Sequence, residues 1–241
     1  MASADEVARD RRRLDQLLVL LGIASGASDS MAYLQLGHVF ASAMTGAAAL
    51  FGIALTRFHW FELGRVATAL AGFTLGGIAA AAMLRRDVAD PAERHEMRLM
   101  FILEAVALAA FVTLWMLVPK PLQHPLDEPL IALLAFAMGV QNVAALQMDV
   151  PGINTVVINN TLARIAIGVT RRIEQVDLPP RRERAFRRQL SVIGAYGTGA
   201  VIGAAIAFGV PAATGWPPLI AVVVVAATLP RFNPSGRPKG R

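Results

Sequence analysis

The chain has 241 residues, 55% of them hydrophobic and 17% charged, with a net charge of +6. An average soluble chain carries roughly 25% charged residues. Here the charges fall in a few clusters, separated by apolar stretches of roughly 20 residues, the length that crosses a bilayer. These figures exclude a soluble enzyme, a disordered chain and an outer-membrane barrel, whose strands would alternate over about 10 residues. The expectation is an all-α, polytopic helical membrane protein. Cysteine is absent, which removes disulfides, iron–sulfur clusters and thiolate zinc sites, and no cofactor or metal is expected. The basic excess reads as the cytoplasmic-side Arg and Lys of a bacterial inner (plasma) membrane protein with both termini inside.

Arg9, Arg11, Arg12 and Arg13 precede Leu17–Ile23 and the small-residue run Ala24-Ser25-Gly26-Ala27, an order that imitates a cleaved secretory signal. Asp5, Glu6, Asp10 and Asp15 are out of place in such a signal. Residues 1–16 are therefore read as a cytoplasmic arm before a retained helix. Leu17–Leu36 is the first apolar segment; Gly37-His38 interrupts it, and Val39–Leu55 follows. Arg57–Glu62 is a polar break that contains Trp60, an interfacial residue type. Leu63–Leu84 is third. The loop Arg85–Arg98 holds four Arg and four acids. Leu99–Val118 is fourth. Pro119–Pro129 has four prolines, too many for a helix. Leu130–Met148 is fifth; Asp149-Val150-Pro151-Gly152 breaks it, and Ile153–Val169 is sixth. Thr170–Gln189 is a loop with seven Arg. Leu190–Val210 is seventh, Pro211–Pro218 a turn, and Leu219–Leu229 a last short segment. The tail 230–241 is basic and expected to be unordered.

The two halves resemble each other. Gly26-Ala27-Ser28-Asp29 matches Gly139-Val140-Gln141-Asn142 at an offset of 113. Met44-Thr45-Gly46 faces Ile158-Asn159-Asn160, and Phe73-Thr74-Leu75-Gly76 matches Tyr196-Gly197-Thr198-Gly199. The chain thus divides into a first membrane repeat (17–118), a Pro-rich connection (119–129) and a second repeat (130–229), each opening on a broken pair of apolar segments. If every segment crosses, there are eight crossings and the halves lie parallel. If each broken pair is one crossing plus a re-entrant piece, there are six and the halves are inverted. Basic residues put both termini inside in either case and barely separate the two. Six is preferred because it keeps the Arg85–Arg98 cluster inside.

Ionisable groups inside spanning helices point to function by default. Asp29, Glu104 and Arg164 are such groups. Around the broken pairs lie Ser25, Ser28, Ser30, Thr45, Gln141, Asn142, Asn154, Asn159, Asn160 and Thr161. Broken helices free backbone donors and acceptors that can hold an ion or polar solute, and interrupted segments at matching places in a duplicated chain point to a binding site. The candidate solute or ion site is therefore Asp29, Thr45, Gln141, Asn142, Asn159, Asn160, Thr161 and Arg164, with Glu104 as a proton relay. The bland alternatives are an Asp29–Arg164 structural ion pair, hydroxyls bonded back to their own helices, and a Glu104 that snorkels to the interface.

Gly26-Ala27-Ser28-Asp29, Leu34-Gln35-Leu36-Gly37, Met44-Thr45-Gly46, Ala137-Met138-Gly139-Val140-Gln141-Asn142 and Val150-Pro151-Gly152 followed by Thr161-Leu162-Ala163-Arg164 carry a family likeness. In these it resembles the YoaK-like family of bacterial membrane proteins of unknown function, from about Leu17 to about Leu229. The resemblance implies a helical membrane fold and carries no demonstrated activity. The family pattern continues Met-Thr-Gly with Asn-Thr and a nearby polar residue, where this chain has Ala47, Ala48 and Leu50. Its second half typically has Thr-Gly, where Asn159-Asn160 stand here.

Three functions are weighed. A gradient-driven small-molecule permease, with its solute between the broken pairs, fits best; no Gly-rich loop ending in Gly-Lys-Ser or Gly-Lys-Thr is present for ATP. An intramembrane enzyme is not expected, because His38, His59, His95 and His124 are scattered and no zincin motif or paired Asp occurs. The alternative is a non-transporting scaffold or lipid-interacting protein. For it, the Gly-rich third and seventh segments would be homo-oligomer contacts, and the basic run at 179–188 would meet anionic head groups. The partners expected are thus the bilayer and an unknown small solute, and no nucleic acid.

Overall fold

A computed structural model describes residues 4–84, 92–119, 126–148, 170 and 180–229. The helices are α1 (Ala4–Gln35), α2 (Met44–Thr56), α3 (Trp60–Met83), α4 (Ala92–Leu117), α5 (Asp127–Gln147), α6 (Pro180–Gly209) and α7 (Trp216–Thr228), with a 3-10 turn at Pro211–Ala213 before α7. Among the described residues there is no strand.

Among the described residues six spans are long and apolar enough to cross a bilayer: Asp15–Gln35, Trp60–Met83, Glu96–Leu117, Asp127–Gln147, Phe186–Gly209 and Pro211–Thr228. With α2 at 13 residues, its length of about 20 Å falls short of a hydrocarbon core of about 30 Å. The protein is a helical multi-pass membrane protein, with six candidate crossings among the described residues, three before residue 119 and three after residue 126.

Two sequence expectations need adjustment. The turn expected over Pro211–Pro218 forms the 3-10 turn and the first residues of α7, so the last segment is long enough to span. Pro217 and Pro218 stand in the first turn of α7, where an N–H has no intrahelical partner to lose. The second helix begins at Met44 rather than Val39, because the chain before it is held away from helical geometry, as described below.

Exposed Leu75, Ile78, Val106, Met116, Val201, Phe208 and Ile220 cover the outside of the bundle, as lipid contact requires. Inside, α1, α5, α4 and α7 form a closed ring in which each packs on the next; α6 lies outside against α1, α3 against α5, and α2 against α3. Leu21, Met31, Phe101, Leu108, Phe111, Trp115, Leu134 and Val222 fill the ring with essentially no exposure. Trp115 stacks on Phe111 and donates its Nε1–H to the Pro211 carbonyl at 2.9 Å.

The tightest seams are α1·α6 and α3·α5, and glycine makes both. A Cβ on Gly26 would strike the Tyr196 carbonyl and lie 2.9 Å from the Ala200 nitrogen; one on Gly139 would strike the Phe73 carbonyl and lie 3.0 Å from the Gly77 nitrogen. Gly199 sits in the same way against Ile23, and Gly76 against Phe136. These are equivalent positions of the two repeats, so one contact is built twice, each time between a helix of one half and a helix of the other. Where lipid is as apolar as the helix surface, this close van der Waals approach drives association.

The helix starts repeat the pattern. Arg65 near the start of α3 pairs with Asp127 at the start of α5, and Arg188 of α6 pairs with Asp15 at the start of the first span. Arg65 and Arg188 are equivalent in the register that matches Gly76 to Gly199.

Candidate functional site

The first break folds back into the bundle around Asp29. Gly37 and His38 both adopt left-handed backbone, with φ of 82° and 63°, which reverses the chain at the end of α1. Gly37 also lies against Arg65, where a Cβ would stand 2.8 Å from Nη1. His38 meets the ring of Tyr33 edge-on, and Phe40 stacks on that ring. The chain then descends beside α1 to Asp29, which lies about 9 Å below the end of the helix at 1.5 Å per residue.

The Asp29 carboxylate is 2% exposed. Oδ1 accepts the N–H of Ala41 at 2.8 Å and of Ser42 at 2.7 Å; Oδ2 accepts the hydroxyl of Ser42 at 2.6 Å and of Tyr196 at 2.7 Å. Four donors from the break and from α6 thus converge on one charge. Backbone N–H groups that do not belong to a helix are costly in a membrane unless bonded, and Asp29 satisfies two of them. From Met44 the chain climbs back as α2 towards the end where α3 begins. This is the re-entrant arrangement.

Gln141 is the second buried polar residue of the expected set, at 2% exposure. Its amide nitrogen donates to the Leu21 carbonyl at 3.0 Å and to Ser25 Oγ at 2.8 Å, tying α5 to α1 across the ring. Glu104 is fully buried on α4, so it does not snorkel to the interface, and neither carboxyl oxygen has a hydrogen-bond partner. Asn142 is half-buried and Thr45 is exposed on α2, apart from the Asp29 cluster. Asn154, Asn159, Asn160, Thr161 and Arg164 lie outside the described residues, and with them the Asp29–Arg164 pair.

Sequence reasoning missed Ser42 and Tyr196 as partners of Asp29. A signal for Tyr196 was present: the repeat aligns it with Phe73, so a hydroxyl appears in only one half. No group of three or more His, Cys, Asp or Glu side chains that could hold a metal occurs among the described residues.

Residues 17–228 match the family described as "Protein of unknown function (DUF1275)". The chain belongs to this family. It is also similar to the "UPF0700 transmembrane protein YoaK" of Bacillus subtilis (strain 168), with 31% identity over 159 residues, or 65% of this chain and 68% of the relative. No solved structure matches. The structure gives Asp29 its partners, Ala41, Ser42 and Tyr196.

Proposed function

We propose that this DUF1275 member is a gradient-driven permease for a small polar solute, seated in a bacterial plasma membrane with both termini cytoplasmic and with no catalytic activity of its own. One observation carries the reading: the ring of α1, α4, α5 and α7 encloses Ser25, Ser28, Gln141 and Glu104 at membrane depth. Buried polarity of this kind is expensive in a bilayer and is kept where a solute or ion passes. Six crossings would make the two halves inverted, and two inverted halves around the ring could open in turn to either face. Asp29 acts as the latch of the re-entrant piece. Movement of that piece would have to break its bonds from Ala41, Ser42 and Tyr196.

The chain has no cysteine, so single cysteines can be placed without background. Cysteines at positions 25, 28 and 141 are expected to react with a water-soluble thiol reagent in native membranes, whereas one at Phe208, on the outside of the bundle, is not. Protection of all the ring positions under every solute tested would defeat the permease reading and favour the scaffold. Uptake into proteoliposomes, screened over a panel of small solutes, is expected to fall at least tenfold in Asp29→Asn. Unchanged, pH-independent uptake would remove Asp29 from the mechanism.

A further inference from the structure

The ring holds buried side-chain atoms whose hydrogen-bonding capacity is unused. They are Ser28 Oγ, Gln141 Oε1 and both carboxyl oxygens of Glu104, on residues no more than 2% exposed. All are oxygens. Ser28 and Gln141 are equivalent residues of the two repeats, on helices that meet. The orientation of Gln141 is fixed by chemistry: only nitrogen can donate to the Leu21 carbonyl, so the free atom is the acceptor. Glu104 lies on the buried stripe of α4 with Met97, Met100, Phe101, Leu108 and Phe111. It is about 12 Å along the helix from Glu96, and Gln141 is about 9 Å from the end of antiparallel α5 at the same face, so the two stand at nearly one depth.

The described basic residues are absent from this level. Arg13, Arg57, Arg65, Arg98, Arg187 and Arg188 all stand at or near the ends of the apolar spans. Among the described residues the ring interior therefore presents one carboxyl and further oxygen acceptors without a positive partner, an arrangement that is costly in low dielectric until a positive charge enters. A proton on Glu104 would add a single donor to this set, whereas a hard cation gathers several oxygens. One carboxyl balances one charge, which disfavours a divalent ion.

We propose that the ring binds one dehydrated, sodium-sized monovalent cation through Glu104, Gln141 Oε1 and Ser28 Oγ. As a coupling ion it rests on the permease reading; as a binding site it does not. The test uses the full chain in detergent micelles. Its thermal midpoint is followed in NaCl against choline chloride at matched ionic strength, and binding of radioactive Na+ is measured by equilibrium dialysis. The wild type is expected to show a saturable rise of several degrees and one Na+ per chain. Glu104→Gln is expected to lose both while remaining monodisperse and helical. Ser28→Ala, a smaller change that guards against misfolding of the first variant, is expected to need several-fold more Na+ for half effect. No saturable Na+ response in the wild type, or wild-type Na+ affinity in both variants, overturns the site. Na+ binding without uptake of any solute removes the permease reading alone, and solute uptake indifferent to Na+ in a protein that does not bind it removes the cation site alone.

Discussion

The α1·α6 and α3·α5 seams are one construction used twice, and they differ in what is hung on it. Both bring a glycine of one helix against the backbone of the other, with Gly26 and Gly199 in the first and Gly139 and Gly76 in the second. Only the first carries Asp29, joined across the seam to the Tyr196 hydroxyl. The equivalent residues in the second are Asn142 and Phe73, which have neither charge nor hydroxyl. The backbone contact is thus separable from the polar chemistry: the first sets how the helices pack, and the second tethers a re-entrant piece in one half.

That separation can be broken most severely at the glycines. Gly26→Leu or Gly139→Leu would force the helices apart, because the obstruction is backbone and cannot rotate away. Loss of monodisperse protein in detergent is expected for both, to similar extents, as read by size-exclusion chromatography. Gly194→Ala and Gly197→Ala, on the same helix as Gly199 but with nothing within 4 Å of an added Cβ, are expected to be neutral or to gain up to about 1 kcal/mol from helix propensity. Equal damage from both kinds of substitution would dissolve the seam argument.

The polar half of the comparison is sharpened by Tyr196→Phe against the reverse change at its equivalent. Removing the Tyr196 hydroxyl takes one donor from a buried carboxylate and is expected to cost about 1.5–3 kcal/mol in a thermal or denaturant melt. Phe73→Tyr places a hydroxyl where no carboxylate waits and should yield no gain.

The end pairs come next. Asp127 has a side-chain exposure of 3% and Asp15 one of 45%. Arg65→Ala is therefore expected to cost about 3 kcal/mol, since a buried acid loses its cation, while Arg188→Ala should cost less than about 1 kcal/mol in physiological salt. A double-mutant cycle with each Asp reads the difference directly. The smallest effect is expected from Thr45→Ala. This side chain faces outwards from α2, and its loss should change stability by less than about 0.5 kcal/mol and leave solute uptake at the wild-type rate.

The spans were legible because a bilayer demands apolar runs of one length, and a run such as Leu63–Leu84 has few other uses. Glycines recur in register between the two halves of the sequence, and the reason for them became visible only when Gly26 met Tyr196 and Gly139 met Phe73. Pro211–Pro218 misled because prolines that break a helix in its middle are harmless in its first turn. At the site, Asp29 was legible as a charge among apolar neighbours. Its partners were not, since Ser42 and Tyr196 come from a chain reversal and from a helix far along the sequence. Gln141 is buried and Thr45 is exposed, a difference that periodicity does not reveal, because it says little about which side of a half-length helix turns inward. The second-half residues Asn159, Asn160, Thr161 and Arg164 lie outside the described residues.

Each seam joins a helix of the first half to one of the second, which has a consequence for biosynthesis. Helix α1 is made first, yet its main neighbour α6 is encoded roughly 170 residues later. At translation speeds of about 5–20 residues per second, α1 enters the bilayer on the order of ten seconds or more before that neighbour exists. In that interval Gly26 and the carboxylate of Asp29 need a temporary companion, whether lipid, water or the insertion machinery. A nascent chain halted after α4 should therefore be a preferred target for membrane proteases.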